Sequence, residues 1–346
     1  MTRAGEATLR LLLAPVSGPL ADPGVTEVVV NRPGEVGVER RGSGWSWLAA
    51  PEFTYARLDA IATLAASLSG QDVGPEHPLC GTVLPDGQRV QVCRPPAVIA
   101  GTVSLTIRRP SGALPSIAGL AAGGLFTRTA GASRRIHPDD ERLLALHRAS
   151  DWEAFFPLAV GARKTIVVTG DTGSGKTTFA KALTGAVPLD ERLVTIEDTA
   201  EFLGLPHRNL VSLYYSKGGQ GLARVGAGDL MEAALRMRPD RVLMGELRDG
   251  AAFTFVRSVA AGHPGSITTC HAGSAAGAFD ALRLMVRGHE AGRHLADGDV
   301  RALLLGLVDV VVHCRRAGGR FGIEEVWFDP LAACGAASPV AAEMSA

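Results

Sequence analysis

Residues 165–178 read Thr-Ile-Val-Val-Thr-Gly-Asp-Thr-Gly-Ser-Gly-Lys-Thr-Thr. The β-branched start of this stretch predicts a buried strand, and the residues from Phe179 to Leu183 have the pattern of a helix. Between them lies the spacing G-x-x-x-x-G-K-T, in the strand–loop–helix context that a phosphate-binding loop needs. The stretch therefore predicts a nucleotide-binding site.

The residue types of this loop each have a chemical reason. Glycines let successive backbone N–H groups turn inward toward phosphate oxygens, and the following helix directs its positive N-terminal end at the same anion. Lys176 is expected to reach the β- and γ-phosphates, and the Thr177 hydroxyl is expected to ligate Mg²⁺. The predicted nucleotide-binding residues are Gly170, Asp171, Thr172, Gly173, Ser174, Gly175, Lys176, Thr177 and Thr178.

The overall composition is that of a globular protein and narrows the function classes. The 346 residues are 46% hydrophobic and 20% charged, and their formal net charge is zero without long acidic or basic runs. This balance indicates neither nucleic acid nor an anionic membrane as a partner. The five cysteines are scattered and form no C-x-x-C pair, so neither a disulfide framework nor a zinc site is expected, which fits a reducing cytoplasm.

Two apolar runs bear on membrane contact. Residues 9–15 are too few to span a bilayer and lack a signal-peptide cleavage pattern. Residues 303–312 are also far below spanning length and include Asp309. Any membrane contact is therefore expected to be peripheral or to go through partners.

The chain divides into two predicted domains. Residues 1–109 are expected to form a smaller α+β domain, and residues 110–137, rich in Pro, Gly, Ala and Ser, a linker with small basic clusters. Strand and helix patterns alternate over residues 138–330, which predicts an α/β phosphate-loop domain with a mainly parallel sheet and helices on both faces. Residues 331–346 are expected to be an unstructured tail.

The first domain is expected to contain helices over residues 9–20 and 53–69 and several β-hairpins. Its last strand, residues 102–109, alternates with period two. The alternation places Ser104, Thr106 and Arg108 on one face and the apolar residues on the other.

Polar residues stand at the ends of three predicted strands of the second domain. They are Glu197 and Asp198, Glu246, and His271. Because ligands bind beyond the carboxyl ends of parallel strands, we expect all of them near the phosphate loop. Glu197 and Glu246 are the candidates for orienting the attacking water, Asp198 for contacting Mg²⁺ through bound water, and His271 for sensing the γ-phosphate.

Three segments of the second domain resemble the motifs of secretion ATPases. Residues 195–201, TIEDTAE, look like the Asp box of these enzymes, and residues 235–249, LRMRPDRVLMGELRD, resemble their Walker B segment. Residues 268–273, TTCHAG, resemble their His box. The three segments follow in the family's order and, with the phosphate loop, cover the second domain.

The first domain is similar to one branch of that family. Residues 25–35, VTEVVVNRPGE, and residues 101–111, GTVSLTIRRPS, resemble the VirB-type ATPases of type IV secretion and conjugation. Type II secretion and pilus-retraction ATPases are more distant relatives, and many type II assembly ATPases carry a four-cysteine zinc module that this chain lacks.

The resemblance implies that residues 138–330 form a RecA-like phosphate-loop ATPase domain. It also implies a homohexameric ring that hydrolyses ATP with Mg²⁺. It implies a place at the cytoplasmic face of the inner membrane and, as partners, the inner-membrane and cytoplasmic components of a secretion or conjugation machine. Peripheral membrane association is compatible with it, and sequence-specific nucleic-acid binding is not expected.

In this family, arginines from the N-terminal domain and from around the Walker B helix complete the site. By position, Arg108 is the best candidate for a γ-phosphate contact and Arg236 is a second candidate. Arg109, Arg128, Arg238 and Arg241 follow them.

Other functions remain open at this point. A pilus or type II secretion motor would use the same chemistry in a different machine. A helicase-like translocase is disfavoured by the neutral charge and by the lack of a basic, aromatic strand-binding stretch. A nucleotide-gated scaffold without hydrolysis is disfavoured by the two glutamates and His271, and a small-molecule kinase does not explain the Asp and His boxes.

Overall fold

The computed structural model describes residues 3–110, 114–129, 131, 136–216 and 221–335. The first part of the chain forms a six-stranded antiparallel sheet in the order β3-β2-β1-β6-β5-β4. Its strands are β1 (Val25–Val30), β2 (Gly34–Arg40), β3 (Gly44–Ala50), β4 (Leu79–Val83), β5 (Arg89–Cys93) and β6 (Ser104–Arg108).

The helices of this part cover one face of the sheet and close its apolar core. They are α1 (Arg3–Leu12), α2 (Ser17–Ala21) and α3 (Tyr55–Leu68). Thr54 caps α3 by accepting a hydrogen bond from the backbone N–H of Arg57. Leu9, Leu58 and Ile61 are buried among the apolar side chains of the strands.

The single helix predicted over residues 9–20 is wrong. The helix α1 already ends at Leu12, a 3-10 turn follows at Ala14–Val16, and α2 begins at Ser17. Pro15 lies inside the turn and supplies no N–H donor, which is why the apolar run cannot continue as one α-helix.

The polar face of β6 is buried except for Arg108 at its end. Ser104 and Thr106 are each only 1% exposed, so the hydroxyl-bearing face is covered by protein rather than by water. The cover is the second part of the chain, and its central contact is a fully buried arginine, Arg192.

Arg192 fastens the two parts together through hydrogen bonds on both sides. Its guanidinium donates to the Met237 carbonyl at 2.8 Å, to Asn31 Oδ1 at 2.8 Å and to Thr106 Oγ1 at 3.0 Å. Burial lowers the pKa of Arg192 to about 10, a value at which the side chain stays charged near neutral pH. A buried charge with good partners is costly to disturb, so this contact holds the two parts in one arrangement.

The second part is built around strands that alternate with helices. The strands are β7 (Ile166–Gly170), β8 (Leu193–Glu197), β9 (Leu210–Tyr214), β10 (Arg241–Met244), β11 (Ile267–Cys270), β12 (Val310–Ala317) and β13 (Arg320–Phe328). The helices are α5 (Pro138–Ala149), α6 (Trp152–Gly161), α7 (Lys176–Gly185), α8 (Ala227–Leu235), α9 (Ala251–Ala260), α10 (Ala275–Gly288) and α11 (Asp297–Leu307).

The strands of this part run in the order β9-β8-β10 and β11-β7-β12-β13, and only β13 is antiparallel to its neighbour. A parallel bridge between Glu246 and Thr269 joins the two groups just beyond the carboxyl end of β10. The mainly parallel sheet that the alternation predicts is therefore present.

Side chains of each strand alternate between two apolar clusters on opposite faces of this sheet. Val168 and Leu243 lie in the cluster with α5, α6 and α7, whereas Val167 and Val242 lie in the cluster with α8 to α11. Helices on both faces, as predicted, follow from this division.

Four helices were not predicted. The Pro157 within α6 and the glycines of α11 break the pattern that a helix shows in sequence, and both helices are held by the apolar clusters instead. The helix α4 (Ile117–Ala122) lies in the predicted linker, and α12 (Pro330–Gly335) replaces the start of the predicted unstructured tail. Arg134 and Arg135, one of the basic clusters of the predicted linker, lie outside the described residues, and so do residues 336–346 of the predicted tail. The domain boundaries themselves stay predictions.

A carboxylate at the junction of the two parts gives a testable pH dependence. Glu27 is 3% exposed and faces Arg108 Nε at 3.4 Å, and its Oε2 has no hydrogen-bond partner. Burial raises the pKa of Glu27 to about 7, against the opposing attraction of Arg108. The folded state then binds a proton that the unfolded state releases at lower pH, so this contribution to stability is complete below pH 4.5 and is lost as the pH rises through about 7.

We therefore expect Glu27→Gln to raise the free energy of unfolding relative to wild type at pH 8, by about 3 kcal/mol at most, and to change it little at pH 5. Urea denaturation at the two pH values measures the difference. Glu35→Gln is the control, because the pKa of Glu35 is shifted in the opposite direction. Burial alone would raise the pKa of Glu35, but hydrogen bonds from Arg208 and Arg32 outweigh burial and lower it. Equal effects of Glu27→Gln at both pH values would contradict the assignment.

Within the residues that the structure describes, no helix has the length and apolar character needed to cross a membrane.

Candidate functional site

The phosphate loop joins β7 to α7 and depends on the conformational freedom of its glycines. Gly173 has φ +75° and Gly175 has φ +89°, both in the left-handed region that favours glycine. A methyl group on Gly170 would lie 2.1 Å from the Cys314 carbonyl oxygen of the neighbouring strand β12. No side chain caps the N-terminus of α7, so its first N–H groups point into the loop as donors for an anion.

Lys176 is held inside this loop. The side chain is 8% exposed, and Nζ donates to the carbonyl oxygens of Gly170 at 2.8 Å and Asp171 at 3.0 Å. The same Nζ lies 3.4 Å from Nδ1 of His271. The ammonium is thereby fixed at the mouth of the loop and linked to a residue from another strand.

His271 continues the link to Glu246. Its Nε2 lies 2.7 Å from Oε1 of Glu246, close enough for an ion pair but without the geometry of a hydrogen bond, so this buried oxygen has no hydrogen-bond donor. Glu246 follows β10, His271 follows β11 and Lys176 follows β7. These strands are neighbours in the sheet, and the carboxyl ends of parallel strands meet at one edge. The sheet thus brings together the three residues Lys176, His271 and Glu246, as the sequence predicted.

The environment of Glu197 differs from that of Glu246. Glu197 is 1% exposed, and its Oε2 accepts hydrogen bonds from the backbone N–H groups of Glu201 at 2.6 Å and Phe202 at 2.9 Å. Its Oε1 accepts a short hydrogen bond from Thr195 Oγ1. Oε2 holds the loop after β8 and Oε1 is occupied by Thr195 within β8, so of the two glutamates Glu246 is the better placed to contact a water molecule.

Gly245 lies directly beside the buried Glu197. A methyl group on Gly245 would meet Cγ of Glu197 at 3.5 Å, an ordinary van der Waals distance.

Two further charged residues join the site, and the sequence did not single them out. Arg248 Nη2 forms a short ion pair with Oε2 of Glu246, which raises the pKa of Arg248. The pKa of Glu201 is raised first by its burial and then by the nearby carboxylates of Glu246 and Asp198. Both residues belong to the quoted motifs, but the contact of the Asp-box loop with the Walker B segment arises only on folding.

Among the described residues, no group of three or more His, Cys, Asp or Glu side chains is arranged to hold a metal ion. Mg²⁺ bound with a nucleotide does not need such a cage, because phosphate oxygens, waters and one or two protein oxygens complete its shell. Thr177, half-buried in the first turn of α7, and Asp198, half-buried after β8, fit that mode of binding.

The predicted arginines Arg108 and Arg236 lie close to each other, in a cleft apart from the phosphate loop. With Arg89 they line a cleft of about 370 Å³ between the first sheet and the end of α8, and none of its lining residues belongs to the phosphate loop. Gly81 permits the close approach, since a methyl group there would lie 2.9 Å from Nη1 of Arg236. All three arginines are exposed, and the side chain of Arg108 is 71% exposed.

Two of the other arginines have structural partners. Arg241 is fully buried and forms a bidentate ion pair with Glu191 at 2.8 and 3.0 Å. Arg238 pairs with Glu39 of the first sheet and with Asp240, so it stabilises the junction of the two parts. The remaining arginine predictions, Arg109 and Arg128, are not placed at the phosphate loop by any contact of the described residues.

A phosphate loop with a lysine, a strand-end glutamate and a histidine defines a nucleotide-binding ATPase site, and comparison with known proteins places it in a family. The family model described as Type II/IV secretion system protein matches residues 147–326. The VirB11 type IV secretion system protein of Bartonella henselae is 42% identical over 92% of this chain and 92% of its own length. The VirB11 protein of Agrobacterium fabrum is 44% identical over 93% and 94%.

A solved structure of another VirB11 protein is also similar to this chain. The crystal structure of the VirB11 ATPase from the Brucella suis type IV secretion system, in complex with sulphate, is 42% identical and has a TM-score of 0.88. The match covers 95% of this chain and 99% of that one. The chain therefore belongs to the Type II/IV secretion system protein family, in its VirB11 branch.

Proposed function

We propose that this protein binds ATP·Mg²⁺ at the phosphate loop and hydrolyses it to energise a type IV secretion or conjugative transfer system. The chain is an ATPase of the VirB11 branch, and the observation that carries the assignment to this site is the contact series from Lys176 through His271 to Glu246. It puts a cation for the phosphates and a carboxylate for water within one cluster.

The residues act as follows in this proposal. Backbone N–H groups of residues 170–178 bind the phosphates, and Lys176 exchanges its loop carbonyl partners for phosphate oxygens. Oε1 of Glu246 accepts a hydrogen bond from the attacking water, and His271 senses the γ-phosphate from its position between Lys176 and Glu246. Thr177 and, through a water molecule, Asp198 would hold Mg²⁺, which would neutralise part of the phosphate charge.

The arginine contact is proposed to come from a second copy. In its own chain Arg108 lines the cleft between the first sheet and α8, and the junction is fastened by Arg192. A homohexameric ring, with a RecA-like nucleotide domain in each copy, would let the exposed Arg108 of one copy face the phosphate loop of the next. Closure of that contact would couple hydrolysis to movement of the ring.

The partners proposed for the ring are the inner-membrane and cytoplasmic components of the secretion machine. This proposal rests on the VirB11 relatives, whose names assign them to type IV secretion systems. A location at the cytoplasmic face of the inner membrane, with peripheral association, goes with it.

The test of the proposed site is Lys176→Ala. We expect ADP and ATP to bind about 10- to 100-fold more weakly, because a charge-assisted hydrogen bond to phosphate is worth roughly 1.5–3 kcal/mol. Isothermal titration calorimetry measures the change, and Lys181→Ala, one turn farther along α7, is the control. Unchanged affinity in Lys176→Ala would refute the assignment of the loop.

A further inference from the structure

The hairpin of β12 and β13 lies beside the phosphate loop. β12 runs parallel to β7, with Cys314 opposite Gly170, and then continues past the point where β7 turns into the loop. Its residues after Cys314 are exposed, and β13 returns along them. The start of β13 is thereby presented to the same edge of the sheet as Lys176.

Two side chains of this hairpin face the loop glycines. Arg316 and Phe321 are directly opposite each other in the antiparallel pair, so their side chains project from the same face. A methyl group on Gly175 would lie 2.5 Å from Cδ2 of Phe321, and one on Gly173 would lie 3.8 Å from Nη1 of Arg316. The ring therefore rests on the backbone of the loop, which only glycine permits at that distance.

Phe321 is nevertheless 57% exposed, although it is a large apolar side chain. One part of the ring packs on Gly175 and the rest faces solvent at the mouth of the phosphate loop. An aromatic surface in that place suits the flat face of a nucleobase, and stacking of a base on an aromatic ring is worth roughly 1–3 kcal/mol. The adjacent guanidinium of Arg316 adds positive charge beside the phosphates.

We infer that Phe321 is the stacking surface for the purine base of the nucleotide whose phosphates the loop binds, with Arg316 beside it as a second contact to the same ligand. This inference rests on the proposed nucleotide site and names residues outside its motifs.

The competing explanation is that Phe321 only supports the loop by packing on Gly175. The two explanations predict different effects of the side chain on ligand affinity. A stacking residue affects ligands that carry a base and leaves inorganic tripolyphosphate unaffected, whereas a packing residue affects both equally.

The experiment compares ADP with tripolyphosphate as ligands of the full-length protein by calorimetry. Phe321→Ala should weaken ADP binding about tenfold and change tripolyphosphate binding less than twofold. Phe321→Trp should retain ADP affinity, because it keeps an aromatic face. Ile323→Ala is the matched control, since Ile323 is 40% exposed two residues along the same strand.

Equal weakening of both ligands by Phe321→Ala would overturn the inference in favour of packing, and unchanged ADP binding would overturn it outright. Failure of the wild-type protein to bind either ligand would instead refute the proposed nucleotide site. Arg316→Ala is expected to weaken ADP severalfold, and an unchanged affinity would remove Arg316 from the inference.

Discussion

Replacing Arg108 with alanine is expected to lower the ATP turnover number by about 10³–10⁵-fold, while ADP binding changes little. An arginine that contacts the γ-phosphate stabilises charge that develops in the transition state, which is why its loss affects turnover by this amount. Steady-state phosphate release and ADP calorimetry on the same preparation measure the two quantities.

Arg89→Ala is the matched control for this experiment. Arg89 is paired opposite Arg108 on β5 and lines the same cleft. A comparable loss in both variants would indicate that the total positive charge of the cleft matters rather than one guanidinium. Normal turnover in Arg108→Ala would remove the residue from the site altogether.

A mixing experiment decides which copy supplies the arginine. Arg108→Ala and Lys176→Ala proteins are each expected to be inactive alone. If Arg108 acts on the neighbouring copy, mixed rings contain sites with an intact loop and an intact arginine, and turnover returns. If it acts within its own chain, no such site forms and the mixture stays inactive, which would contradict the arrangement proposed above.

Replacing Glu246 with glutamine is expected to lower the ATP turnover number by about 10²–10⁴-fold without weakening ATP binding. The amide keeps the shape of the side chain and its contacts to Arg248 and His271, but it cannot accept a proton from the attacking water as a carboxylate can. Single-turnover hydrolysis with radiolabelled ATP separates the chemical step from binding and product release.

Glu197→Gln distinguishes the two acidic residues after the strands. Both of its oxygens accept hydrogen bonds, and an amide nitrogen at Oε2 would face the N–H groups of Glu201 and Phe202. We therefore expect this variant to lower the thermal unfolding temperature more than Glu246→Gln does. A stable Glu197→Gln protein without turnover, beside an active Glu246→Gln protein, would reverse the assignment of the catalytic base.

The local patterns of the chain were enough to predict the phosphate loop and most of the elements around it. The β-branched strand, the glycine-rich turn and the helix follow each other directly in the chain, so their function depends on residues that are neighbours in sequence. The same holds for Glu246 and His271, because a residue at the end of a parallel strand must lie at the ligand edge of the sheet. The broken helix at Pro15 shows the limit even of local patterns, since an apolar run alone did not reveal the interruption.

The sequence by itself therefore determined that this chain has a phosphate-loop motif, and it predicted which strand ends lie beside that loop. Only the tertiary structure decided that Glu197 accepts hydrogen bonds from backbone N–H groups. It also decided that the buried Arg192 contacts the polar face of β6 and that Phe321 packs on Gly175. The physical reason is that these contacts join residues far apart in the chain or commit a side chain's few donors and acceptors. These contacts depend on packing and hydrogen-bond geometry, which cannot be predicted from residue types and their spacing.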